Sequence, residues 1–421
     1  MESLYVPLAS AAAVVLFILG VPILTIIGLW CIAASLAIDL SLANLGVTLY
    51  EGLNFYGLLA MPLFILTGDL INAAGIAKKL TDFAYACLGW LRGGFAISTI
   101  GACGVFAAIS GSNAATAATI GSIMYPEMVK ENYQKEFAGA TIASGGTVGI
   151  IIPPSIIFIT YGFLLNLSIT DLFLGGIIPG ILMVMAMCVV CFILSVKNSW
   201  GVIQKFSLRH AAKSGARAYL GFFAIFLIMY GIYTGAFSPT ESAAVCVGYC
   251  FFSGLLITRE LKLREMPDLI FKSGKIVGMV APLVAISIVM QQCLSALGTT
   301  VWLSEQIGSM GYVGVMALSM LIIFVAGMFL ESVPVVTILA PLLAPIAHAV
   351  GVHPTHFAVI TLVGTAIGFI TPPFGLNLFV ASSITNIPYV KLIRYAWPFI
   401  FALLFVWVLI VLFPSLSTFF T

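Results

Sequence analysis

Two stretches of this sequence combine helix-breaking residues with a lack of charge, a pattern that suits ion chemistry inside a membrane. ASGGTVGIIIPP runs from Ala143 to Pro154, and LVGTAIGFITPP from Leu362 to Pro373. A constant offset of 219 residues pairs Gly145 with Gly364, Gly149 with Gly368 and Pro153 with Pro372. The same offset pairs Pro126 with Pro345 and Pro179 with Pro398, so the register reads as gap-free from 126 to 179. Proline removes a backbone donor and disfavours helix at the residue before it. A helix entering either stretch is expected to unwind, and a second half-helix to start after the prolines. Unwinding frees carbonyl oxygens, which suit a hard cation, while the N-terminus of the next half-helix faces an anion. A simple proline kink is the plain alternative for one motif. Two motifs in matching positions of duplicated halves point instead to a transport site.

Each motif follows a polar tip between apolar arms. FAAISGSNAATAATIGSIMYP (Phe106–Pro126) lies 219 residues before VAGMFLESVPVVTILAPLLAP (Val325–Pro345). Each is too short to cross and return as two full helices, so each is expected to enter the membrane and go back as a hairpin. Irregular backbone at that depth survives only where protein or a watery cavity satisfies it. Small residues also serve close helix packing, which is the competing reading.

The ion is argued from what is missing. Proton relays in membranes use carboxylates or histidines. No Asp, Glu, Lys or Arg occurs between Gly93 and Pro126 or between Phe137 and Thr170. The second copy has Glu331 and then none until Lys391. Glu331 either helps a cation site or caps a short helix. His348, His353 and His356 read as a loop at the membrane face. This favours sodium held by backbone and hydroxyl oxygens, with an anionic solute met by hydroxyls, amides and helix ends.

These segments need a membrane around them. Apolar residues make up 62% of the 421 positions and charged residues 8%, where soluble domains carry roughly 25% charge. The chain is therefore expected to be an all-α polytopic membrane protein. Its net charge of +2 says nothing about nucleic acid, and with no basic stripe or aromatic-basic interleaving no nucleic-acid partner is expected. The first twenty residues lack a basic region and read as a retained span. No phosphate-binding loop, H-E-x-x-H motif or catalytic dyad is present, so no enzyme is expected, no catalytic residue and no organic cofactor. Cys188 and Cys191 form C-x-x-C in a charge-free run and read as apolar filler.

At about 20 residues per span, the chain predicts 11–12 full spans and two re-entrant segments. Scaffold spans occupy 1–60. A first repeat covers 61–196, with hairpin 105–126 and broken helix 137–165. Basic loops and connecting spans fill 197–275, and the loops belong in the cytoplasm by the positive-inside rule. A second repeat covers 276–421, with a broken apolar region at 276–303, hairpin 325–346 and broken helix 355–386.

GSNAATAATIGSIMYPEM, GGTVGIIIPPS, GFITPPFGLNLFVASSI and MPLFILTGDLINAAGIAKKL (Met61–Leu80) together resemble the large membrane subunit of tripartite ATP-independent periplasmic (TRAP) transporters, the DctM-like family. The resemblance covers essentially the whole chain. It implies an inverted-repeat, elevator-type transporter in the bacterial inner membrane, with two re-entrant hairpins and discontinuous helices. It also implies a small four-helix membrane subunit and a periplasmic substrate-binding protein as partners. The implied cargo is a carboxylated solute, such as a C4-dicarboxylate or sialic acid, moved with Na+ as coupling ion. Carried onto matching positions, one sodium site uses Ser110, Ser112, Asn113, Gly145 and Val148. The other uses Gly327, Glu331, Gly364, Thr365 and Ile367. The solute is expected near Asn113, Thr116, Pro154, Ser155, Pro373 and Asn377. A self-sufficient sodium–carboxylate symporter is the near alternative, and a channel or structural membrane subunit the distant one.

Overall fold

Glycine, serine and asparagine punctuate the apolar runs, and the helices start and stop at them. Asn166 and Asn386 end helices in the left-handed conformation, and Ser112, Ser155 and Ser168 cap helix N-termini. The computed structural model describes residues 2–54, 56–201, 205–308 and 310–421. No strand occurs among them.

The chain opens with α1 (Glu2–Ile18), α2 (Ile23–Ala37), α3 (Leu42–Leu53), α4 (Ala60–Ala73) and α5 (Ile76–Leu88). A hairpin of α6 (Gly94–Ser110) and α7 (Asn113–Lys130) follows, then a helix in two halves, α8 (Lys135–Gly146) and α9 (Ile156–Leu165). The long α10 (Ile169–Asn198) leads to the basic α11 (Leu208–Arg217), α12 (Tyr219–Tyr233) and α13 (Pro239–Phe252). After α14 (Met266–Ala296) and α15 (Thr299–Gly308) come a second hairpin, α16 (Gly311–Phe329) and α17 (Ser332–Ala349), and a second pair of halves, α18 (Pro354–Gly368) and α19 (Leu376–Thr385). The chain closes with α20 (Tyr389–Leu412) and α21 (Ser415–Thr418).

The two halves repeat. α7 and α17 both have 18 residues and start 219 apart, as do α8 and α18. The register then slips: α19 and α20 start 220 after α9 and α10, and Asn386 lies 220 after Asn166. Phe374 and Gly375 stand before α19 where Ser155 alone stands before α9, which adds the extra residue. The gap-free register expected to Pro179 thus ends at the paired prolines.

The core is built on α8 and α18. Every residue from 137 to 146 and from 355 to 368 is buried, as expected of helices that are apolar all round. Their hydroxyls bond back one turn: Thr141 donates to Phe137 O and Thr361 to Phe357 O, each at 2.9 Å. A hydroxyl satisfied inside its own helix needs no water at that depth. α20 packs on both core helices. The half-helices are exchanged between repeats, since α9 packs against α17 and α19 against α7 and α8. A second apolar cluster joins α2, α3 and the end of α14 through Ile27, Leu45, Val289 and Met290. Thr48 donates to Gln292 across that cluster at 3.0 Å.

Several expectations change. Among the described residues, seven helices have the length and apolarity to cross a membrane, or eight if the bent pair α11–α12 counts as one span. The expected 11–12 included spans at 4–20 and 21–38, where α1 and α2 are apolar but have only 17 and 15 residues. The hairpin arms are longer than their expected bounds of 105–126 and 325–346, at 17 and 18 residues for α6 and α7 and 19 and 18 for α16 and α17. The region 276–303 is broken as expected, between α14 and α15. α14 passes through Pro282 without ending, and the break falls at Gly298, where φ is +66°. Lys272 and Lys275, expected in a loop, belong to α14. The histidines are not one loop either: His348 lies in the last turn of α17, His353 directly precedes α18 without a capping bond, and His356 is buried with Nδ1 2.6 Å from Ser417 Oγ.

Candidate functional site

Both hairpin tips end on the unwound turns. In the first, Gly111 turns the chain at φ +58°, and Gly111 O accepts from Ile156 N at 3.3 Å. In the second, Gly375 N donates to Met328 O at 3.4 Å. The sequence offset makes Gly149 and Gly368 equivalent, and both lie where backbone meets backbone. A Cβ on Gly149 would stand 2.7 Å from Ser112 C and 2.8 Å from Asn113 N. A Cβ on Gly368 would stand 2.6 Å from both Cα and O of Gly327. No real Cβ tolerates such contacts, so glycine at these two places lets each tip seat on its broken helix.

The turns are tied as well as unwound. Val148 O accepts from Ile151 and Ile152 N–H groups, both at 3.0 Å. Its equivalent, Ile367 O, accepts from Ile370 N at 3.2 Å and from Thr371 Oγ1 at 2.8 Å. Ile150 O accepts from Ser155 Oγ at 2.7 Å, and the equivalent Phe369 O accepts from Asn377 N at 3.0 Å. Ser155 Oγ also accepts from Phe158 N at 3.4 Å and so caps α9. These carbonyls are partnered, not bare, although an sp² oxygen has a second lone pair to offer.

The repeats meet through two asparagines. Asn113 Nδ2 donates to Asn377 Oδ1 at 3.1 Å, and Asn377 Nδ2 donates to Ala143 O at 3.1 Å. Both side chains are buried. The pair links hairpin one to α19 and α8, so part of each motif is completed by the other repeat.

A cavity of about 400 Å³ lies between the tips. Residues 110–115 and 331–334 line it with Ile156 and Ile157, together with residues of α4 and α14. The N-terminal turns of α7, α9 and α17 all border it. Helix N-termini present backbone N–H groups and partial positive charge, which suits an anion. The volume is in the usual range for small-molecule sites, roughly 300–1,000 Å³.

Of the residues proposed for the solute, Asn113 lines this cavity. Thr116 does not: it is buried and pairs with Ser110 Oγ at 2.8 Å. Pro154, Ser155 and Asn377 are buried behind the tips, and Pro373 is exposed with its carbonyl accepting from Tyr389 Oη at 2.8 Å. Of the proposed sodium residues, Ser110, Ser112, Asn113 and Glu331 line the cavity. Ser112 also caps α7, while Glu331 holds the same position before α17 and makes no capping bond. The capping alternative for Glu331 is therefore set aside. Gly145 packs on Cys103, Gly364 lies under Trp407, Gly327 crosses Thr365 and Gly368, and Thr365 Oγ1 donates to Thr361 O at 2.7 Å.

Two further charged residues, distant in sequence, meet at the cavity. Asp69 of α4 and Lys272 of α14 both line it and form an ion pair at 2.6 Å. Asp69 was visible as a lone carboxylate inside the apolar run Leu53–Ala74. Lys272, 203 residues away, looked like any other basic loop residue.

An all-helical chain with membrane-length helices, two hairpins facing broken helices and one shared cavity has the construction of a multi-pass membrane permease. The family model described as "Tripartite ATP-independent periplasmic transporter, DctM component" matches residues 10–416, and the chain belongs to that family. It is therefore a transporter permease subunit and not an enzyme. It is 36% identical to the C4-dicarboxylate TRAP transporter large permease protein DctM of Pseudomonas aeruginosa, over 90% of this chain and 89% of that one. It is 32% identical to the sialic acid TRAP transporter large permease protein SiaM of Vibrio cholerae, over 87% and 86%. The isethionate TRAP transporter permease protein DctMQ of Oleidesulfovibrio alaskensis is 33% identical, with 96% of this chain matching 64% of that longer one. The crystal structure of the Alcanivorax borkumensis YdaH transporter shares the fold, with a TM-score of 0.60 at 14% identity over 89% of both chains.

Proposed function

We propose that this subunit imports a carboxylated organic solute together with sodium across the bacterial inner membrane. The observation that carries the reading is the convergence of three helix N-termini on one cavity between the hairpin tips. The relatives named for a C4-dicarboxylate, sialic acid and isethionate share an acid group as their common chemistry. A periplasmic substrate-binding protein delivers the solute, and a small four-helix membrane subunit completes the complex. The name DctMQ and the part of that relative beyond this chain support a small subunit that is fused there. Sodium draws on Ser110, Ser112, Asn113, Gly145 and Val148 in one repeat, and on Gly327, Glu331, Gly364, Thr365 and Ile367 in the other. The solute binds between the tips against Asn113, with Thr116, Pro154, Ser155, Pro373 and Asn377 supporting the tips. The hairpins are re-entrant, and the body they form moves as an elevator against the α2–α3–α14 cluster.

The test is uptake of labelled succinate and N-acetylneuraminate into proteoliposomes that hold this chain, its small subunit and the binding protein. Uptake is expected to require sodium and to saturate. Proton-driven uptake in sodium-free buffer refutes the coupling. Transport by this chain without the other two proteins refutes the tripartite arrangement. Non-saturable flux refutes a carrier.

A further inference from the structure

The cavity holds a charge arrangement that a purely neutral site does not use. Among the described residues, its titratable lining groups are Asp69, Lys272 and Glu331, so Lys272 is its single cation. Lys272 Nζ lies 2.6 Å from Asp69 Oδ1, and Ser273 Oγ donates to Asp69 Oδ2 at 3.0 Å. The two partners are unequal. The Asp69 side chain is 14% exposed, on an apolar helix, whereas Lys272 is 63% exposed on a flexible stem. If the ammonium swings away, Asp69 keeps the Ser273 hydroxyl. It is then spared the full penalty of a carboxylate stripped of partners in apolar surroundings. Glu331, which also lines the cavity, takes part in none of the ion pairs among the described residues. An anion in this cavity therefore faces two carboxylates, and Lys272 is the formal charge that attracts it.

We infer that Lys272 is the exchangeable counter-ion of the transported acid. Its ammonium leaves Asp69 for the solute carboxylate as the solute passes α4 and α14, and it returns to Asp69 when the solute has gone. Lys272 belongs to the basic stretch 259–275, which the positive-inside rule assigns to the cytoplasm, so the exchange occurs on the release side. Asp69 and Ser273 are positioning residues that park the ammonium between cycles. The inference rests on the carboxylate reading above and adds a residue to it.

The experiment compares wild type, Lys272→Gln, Asp69→Asn and the double variant in the complete complex, with labelled succinate and N-acetylneuraminate as probes. Lys272→Gln is expected to lower kcat/KM by about tenfold or more, the scale of one charge-assisted hydrogen bond. Asp69→Asn frees the ammonium and is expected to leave KM unchanged or lower it from the cytoplasmic side. The double variant is expected to behave like Lys272→Gln, and Lys272→Arg to keep most activity. A double variant that regains wild-type transport shows a structural tie alone and overturns the inference, as does wild-type transport by Lys272→Gln. If Lys272→Gln fails to assemble, Asp69→Asn decides, because a raised KM in that variant overturns the exchange. A wild-type complex that moves neither acid defeats the underlying carboxylate reading before any variant is compared.

Discussion

Replacing Gly368 by alanine tests whether backbone contact between hairpin and broken helix holds the site together. The new methyl would sit 2.6 Å from both Cα and O of Gly327, where ordinary contact begins at 3.4 Å. The two helices must then separate by roughly 1 Å, because the obstacle is backbone and no side chain can swing aside. Overpacking of this kind costs about 1–3 kcal/mol. The separation would also carry tip residues 331–334 away from the cavity they line. Purified Gly368→Ala complex is expected to melt several degrees lower and to lose most sodium-dependent uptake while still inserting in the membrane. Gly149→Ala should behave alike, since its Cβ would meet Ser112 and Asn113 backbone at 2.7 and 2.8 Å. Gly278→Ala in α14 is the control. Nothing lies within 4 Å of its Cβ, and alanine is favoured there by about 0.5–1 kcal/mol. Wild-type melting and transport in both Gly149→Ala and Gly368→Ala would refute the idea that these approaches seat the tips.

Asn113→Ala and Asn377→Ala should each destabilise the protein by about 1–3 kcal/mol, because each leaves a buried amide without its partner. A double-mutant cycle read by thermal denaturation should show coupling between them, and additive effects would argue against a working pair. Ser155→Ala removes both the cap on Phe158 N and the bond to Ile150 O. It should cost about 1–2 kcal/mol and slow transport, measured by melting and uptake together. Gly145→Ala and substitution of Pro154 should reduce uptake more than membrane insertion, scored by comparing labelled protein in the membrane with initial rates. Normal transport in both would reduce the motif to a kink. Replacing sodium by potassium should abolish uptake by the whole complex.

The sequence by itself determined the elements that obey local rules. Glycine and proline dictate where α8 and α18 unwind, and an offset of 219 residues shows that this happened twice. Low charge dictates a membrane, and the motif pattern identified the family from end to end. Helix lengths were harder to read, since apolarity alone does not separate a full span from a half-helix that protein surrounds. α14 shows the same limit: Lys272 and Lys275 look like loop residues, yet their backbone continues a helix that other helices support.

Only the tertiary structure decided what those elements face. It exchanged α9 and α19 between the repeats, which made Asn113 and Asn377 neighbours across 264 residues. It placed Ser155 and Asn377 behind the tips and left Asn113 at the cavity. It also brought Asp69 to Lys272, a contact no local pattern encodes. The physical reason is common to all three. Hydrogen bonds and ion pairs between distant segments are set by how helices pack, and the residues on each side carry no local signal of their partner. The paired glycine-to-proline motifs were legible because a helix break is written in the residues that make it.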